Sequence, residues 1–106
     1  MAIDGQITRT DDNAFTGWMA SLTFDVDITL TPNPYKKEDK HPDFEITAKT
    51  PRGRHIRIGS AWEQTSQKGN DYLSLAVMVN GQQVRVNAVR SEEDPAGEFR
   101  LIPLAG

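Results

Sequence analysis

The chain has no cysteine in its 106 residues. That excludes structural disulfides, thiolate catalysis and cysteine-based zinc sites, and it points to a reducing compartment, here expected to be the cytoplasm. Histidine is almost as scarce. His41 and His55 are the only two, and they lack the spacing of a metal pair. No apolar run approaches the ~20 residues that a membrane-spanning helix needs, so no membrane partner is expected. The first residues, Met1 to Gln6, carry neither a basic region nor an apolar block, so no signal peptide is read there. Helical periodicity with capping residues is missing too. Ser66 and Ser74 have no elbow motif or evident base, and Glu92 and Glu93 fall in a turn. No nucleophile, base and acid come together, so the chain is expected not to be an enzyme and to use no cofactor.

What the sequence does contain is alternation. Leu73, Leu75, Val77 and Val79 are apolar at every second position, as are Phe44, Ile46 and Ala48. That period of two is the mark of a half-buried strand. Ile56, Ile58 and Trp62 are read as one face of a strand preceding Leu73, with the polar stretch Thr65–Asp71 as the turn between the two. Gln82 to Ala88 follows Val79 through Asn80-Gly81, a dipeptide suited to a tight hairpin. Phe99 and Leu101 form the last strand, and Ile7 anchors the first, Gly5 to Thr10. Trp18, Ala20, Leu22, Phe24, Val26, Ile28 and Leu30 all fall at even positions. They read as one long strand with a bend or bulge near Ser21–Thr23, with Asp25 and Asp27 facing solvent. Pro32 and Pro34 end it, and Tyr35 to Pro42 reads as a charged, mobile loop.

The expectation is an all-β fold spanning residues 1–106 as a single small domain. It has about eight short, mostly antiparallel strands, arranged as a partly open barrel of oligonucleotide-binding or SH3-like kind or as a curved meander.

Net charge is −3, unevenly placed. Up to Pro34 one base, Arg9, stands against Asp4, Asp11, Asp12, Asp25 and Asp27. From Tyr35 to Arg57 the bases Lys36, Lys37, Lys40, Lys49, Arg52, Arg54 and Arg57 outnumber Glu38, Asp39, Asp43 and Glu45. Acid returns with Glu92, Glu93, Asp94 and Glu98.

The stretch Ile58-Gly59-Ser60-Ala61-Trp62-Glu63-Gln64-Thr65-Ser66, continued by Gly69 and by Asp71-Tyr72-Leu73-Ser74, resembles the bacterial family known as domain of unknown function 736. Pro42-Asp43-Phe44 and the opening Gly5–Thr10, Phe15-Thr16-Gly17 and Leu22-Thr23 are similar to it as well. The family's acidic Asp-Asp-Pro segment after the hairpin is replaced here by the turn at Val79-Asn80-Gly81. The resemblance implies a chain carried by plasmids, integrative elements or phages, and it implies no activity.

Two functional expectations follow. The first is a small interaction module that inhibits or modulates host machinery by protein–protein contact, an anti-CRISPR-like anti-defence protein being one example. Its partner is a host or element-encoded protein or nucleoprotein complex. Asp25, Asp27, Glu92, Glu93 and Asp94 are its candidate contacts; the bland reading of these residues is solubility and edge protection. The second is a single-stranded nucleic-acid binder. Lys36, Lys37, Lys40, Arg52, Arg54 and Arg57 would track phosphates, and Trp62 and Tyr72 would stack bases. The bland reading here is a solvated loop and two packing aromatics.

Overall fold

In the computed structural model, residues 3–10, 13–38, 40–79, 81–90 and 97–103 are described. The alternating runs become β1 (Asp4–Arg9), β2 (Phe15–Ala20), β3 (Asp25–Pro32), β4 (Phe44–Lys49), β5 (His55–Thr65), β6 (Asp71–Val79), β7 (Gln82–Arg90) and β8 (Glu98–Pro103). Each strand pairs antiparallel with its neighbours in sequence, and β1 pairs with β8. The all-β expectation holds, and the eight strands go one step beyond a partly open barrel or a meander. They form a meander closed on itself, joined at Gln6↔Arg100, Ile7↔Phe99 and Thr8↔Glu98.

The apolar set lines the inside. Ile7, Met19, Ile28, Leu30, Ile46, Leu75, Val77 and Val86 are fully buried. Toward one end Phe15 packs edge-on against both Phe44 and Phe99, at centroid distances of 5.5 and 5.4 Å, a favoured geometry for aromatic pairs. The outside carries Gln6, Thr8, Asp25, Asp27 and Gln83, the reverse of the apolar band of a lipid-embedded barrel. No helix among the described residues is long and apolar enough to cross a membrane.

Two inside–outside assignments change. The even-numbered run is two strands, not one. Ser21–Phe24 is a turn in which the Ser21 N–H donates to the Phe24 carbonyl at 2.8 Å, and the Ser21 hydroxyl accepts from the Thr23 N–H at 3.1 Å. This is the local side-chain chemistry by which serine favours turns. The connection has an even number of residues and sets Ala20 opposite Asp25. Even positions on β2 therefore share a face with odd positions on β3. Phe15 and Met19 go in, and Trp18 goes out beside Asp27.

The second change lies on β5. Ile46 pairs with Gly59, but Thr47 pairs with Arg57, so Ile58 is the extra residue of a β-bulge. The bulge reverses the phase. Ile56 faces the same side as Ala48 at the rim and Ile58 packs partly on the core, whereas Ala61 is fully buried and Trp62 points outward. Trp62 does not share a face with Ile56 and Ile58 as the alternation predicts.

Glycine permits the curvature. A Cβ on Gly17 would overlap the Gln6 carbonyl oxygen and stand 2.7 Å from the Ile7 Cα. One on Gly59 would overlap the Ala76 carbonyl and stand 2.8 Å from the Val77 Cα. Backbone occupies that space, so nothing flexible can yield. Gly59→Ala is therefore expected to lower stability by about 3 kcal/mol, as overpacking a tight interior does. The solvent-facing turn change Gly69→Ala, limited to the cost of a positive φ, is expected to lower it by about 1 kcal/mol. Urea melts of the two variants check the difference; equal midpoints would refute the close approach.

Candidate functional site

Closure in sequence order sends successive turns to alternate ends of the barrel. One end, the loop end, carries connections 10–14, 33–43, 66–70 and 91–97; the other, the hairpin end, carries 21–24, 50–54 and 80–81. This arrangement separates residues that are close in sequence. Lys36, Lys37 and Lys40 lie at the loop end, and Arg52 and Arg54 at the hairpin end. Between them runs β4, whose six residues span about 20 Å. Arg57 stands partway along β5. The basic middle of the sequence is not one basic surface.

Several of these cations also have acidic neighbours. Lys36 is ion-paired to Asp43. The Lys40 Nζ is 3.3 Å from the Glu38 carboxylate, and the Arg57 guanidinium is 3.9 Å from that of Glu45. The charged loop is folded back on the barrel. Trp62 donates its indole N–H to the Lys40 carbonyl at 3.0 Å, and Asp43 accepts from the Glu63 backbone N–H at 2.8 Å. Trp62 pairs with Ser74 and Gln64 with Tyr72, so Trp62 and Tyr72 are diagonal neighbours on one outer face, both half-buried.

Asp25 and Asp27 are exposed on the outside of β3 toward the hairpin end. Glu92, Glu93 and Asp94 lie outside the described residues.

Around Asp25 and Asp27 the barrel presents a face that the alternation alone does not reveal. Trp18 stands between Gln6 and Asp27. Leu22 is fully exposed at the tip of the β2–β3 turn. A cleft of ≈ 380 Å³ is lined by Ile3, Asp4, Trp18, Ala20, Ser21 and Leu22. On its other side Trp18 also walls a groove shared with Asp27, Thr29, Lys49 and His55. Asp4, Asp25 and Asp27 frame the aromatic and the leucine. Among the described residues neither Asp25 nor Asp27 has an ion-pair partner. The one base between residues 3 and 32, Arg9, is at the far end of β1. The missed signal for Trp18 is the odd-numbered set Phe15, Gly17 and Met19, which fits an inward face better than Trp18 and Ala20 do. Among the described residues no three His, Cys, Asp or Glu side chains are placed to hold a metal ion.

Residues 3–102 match the family described as "Protein of unknown function (DUF736)". No curated protein and no solved structure matches the chain.

The anchoring of the charged loop has a pH signature. Burial pushes the Asp43 carboxyl up, but the Lys36 hydrogen bond, the Glu63 N–H and the Lys36 charge outweigh it and hold it below its ordinary value of 3.8. A carboxylate depressed in the folded state stabilises the fold above its unfolded value, and that contribution is lost as pH falls through the folded one. Asp43→Asn is expected to be less stable than the parent at neutral pH and to approach it as the pH falls below the carboxyl's ordinary value of 3.8. Urea midpoints across that range check the convergence; a gap that does not change with pH would contradict it.

Proposed function

The chain belongs to the family of proteins of unknown function DUF736, and we propose that its barrel is a non-enzymatic docking module that binds a basic protein surface through the β2–β3 face. The observation that carries this reading is the grouping of Trp18 and exposed Leu22 within the acidic frame of Asp4, Asp25 and Asp27. A tryptophan at the centre of an apolar patch is the residue type most often found to dominate an interface. The carboxylates supply complementarity to a basic partner and steer its approach. Closure supports docking by a face, because a barrel without edge strands offers no backbone for strand addition. In its finer form the reading takes up the resemblance to element-borne chains. The partner is then a cytoplasmic host or element-encoded protein or nucleoprotein complex, and occupancy of its basic surface inhibits it, as an anti-CRISPR-like anti-defence protein would.

Asp25→Lys with Asp27→Lys is expected to leave stability within about 0.5 kcal/mol, as exposed substitutions usually do, and to abolish capture of the partner from host extract. Leu22→Ser is expected to weaken capture without changing its salt dependence. If the folded double variant retains every partner, the β2–β3 face is not the docking surface.

A second reading is favoured by one specific observation. Trp62 and Tyr72 share an outer face, with the indole N–H of Trp62 bound to the Lys40 backbone carbonyl, an arrangement compatible with stacking of single-stranded bases. Fluorescence anisotropy with labelled single strands at low and moderate salt tests it. On this reading Tyr72→Ala weakens binding by ~1–3 kcal/mol, and replacing Lys36, Lys37 and Lys40 with Ala flattens the salt dependence. No binding at low salt would eliminate the reading.

A further inference from the structure

The loop end of the barrel opens on a separate cleft of ≈ 320 Å³. Phe15 and Phe99 form its floor, packed edge to face. Two arginines stand over them. Arg9 pairs directly with Phe15, and Arg90 with Phe99. Directly opposed residues share a face, so both arginines belong to the inward side, where strands otherwise place apolar residues. Their guanidinium carbons lie 4.9 Å from the Phe15 centroid and 5.9 Å from that of Phe99. A guanidinium resting on a ring uses its face for that contact and keeps its N–H fork at the edge. Arg9 gives one donor to the Asn13 side chain at 2.8 Å; a guanidinium has five. Arg90 stands 3.9 Å from the Asp71 carboxylate, which also accepts from the Thr65 hydroxyl at 3.2 Å.

The rim is polar in a directional sense. Its cations come from β1 and β7, on either side of β8, and its carboxylates, Glu63 and Asp71, from the adjoining β5 and β6. The two arcs meet where Arg90 stands beside Asp71. We propose that this mouth binds a small organic anion with an aromatic body. Its carboxylate or phosphate is held by Arg9 and Arg90, and its ring rests on Phe15 and Phe99. The fork geometry matches both kinds of oxyanion. The mouth of a β-barrel, with an apolar floor and a few convergent polar groups, is a common place for such a ligand.

The competing explanation is that the arginines only shield the apolar end of the barrel. Amide-resolved NMR titration with phenyl phosphate, inorganic phosphate and benzyl alcohol distinguishes the two. Phenyl phosphate is expected to shift the amides around Arg9, Arg90 and Phe99 saturably. The two half-probes are expected to bind at least about tenfold more weakly, since each lacks one set of contacts. Arg9→Gln and Arg90→Gln should each weaken phenyl phosphate about tenfold or more, the loss expected when a charge-assisted hydrogen bond is removed. Thermal melts identify any variant that has lost its fold. Arg9→Lys and Arg90→Lys then take its place, because they keep the charge but lose the fork and should also weaken binding. The proposal is overturned by the absence of saturable shifts at the mouth, by equal affinity for inorganic phosphate, or by full affinity in a folded variant lacking both guanidiniums.

Discussion

Contact of backbone with backbone at Gly17 and Gly59 is the constraint on which the rest of this barrel depends. Eight strands close into a small ring only if they tilt and coil strongly, and coiling brings neighbouring chains together on the concave side. At these two inward positions the neighbouring carbonyl occupies the space that any Cβ would take. The bulge at Ile58, beside Gly59, adds twist at the same place. Closure then shapes everything outside it: it decides which ends the loops share and turns Trp18 and Trp62 outward.

Strands whose face is set by their own sequence were readable from it. On β4, β6 and β8 the apolar residues alternate without interruption, and Phe44, Leu75 and Leu101 lie where that alternation puts them. Sequence failed where one residue or one turn changes the phase. An even-membered turn at Ser21–Phe24 leaves the even-numbered pattern looking continuous while the faces exchange. The bulge at Ile58 does the same within a single strand. Both errors fell on tryptophans, because an indole is apolar enough to be counted as core and yet tolerates a half-buried outer position, as Trp62 does with its N–H on the Lys40 carbonyl. The surface around Trp18 was thus hidden by a parity error, although the carboxylates beside it were legible.

Charge was the weakest guide to surfaces, for a topological reason. In a meander, residues a turn apart in sequence share an end, and residues a strand apart lie at opposite ends. Lys40 and Arg52 are separated in this way. Arg9 and Arg90, distant in sequence and unremarkable in composition, meet over a common aromatic floor because β1 and β7 both flank β8. No count of acids and bases along the chain anticipates that meeting.

The seam between β1 and β8 has a further consequence. Every other pairing joins consecutive strands and forms from a hairpin; this one must bring together segments some ninety residues apart, and its loop-closure entropy is the largest in the fold. It is also short, running only from Gln6 to Thr8 on β1. The ring is therefore expected to assemble as a curling ribbon that locks last and opens first along the same line. While it is shut, the described strands form a ring with no edge strand. Once it parts it exposes two complementary edges at once, and two opened rings can shut upon each other at a rate that rises with protein concentration. The joint that closes this barrel within one chain is also the joint through which it would exchange strands.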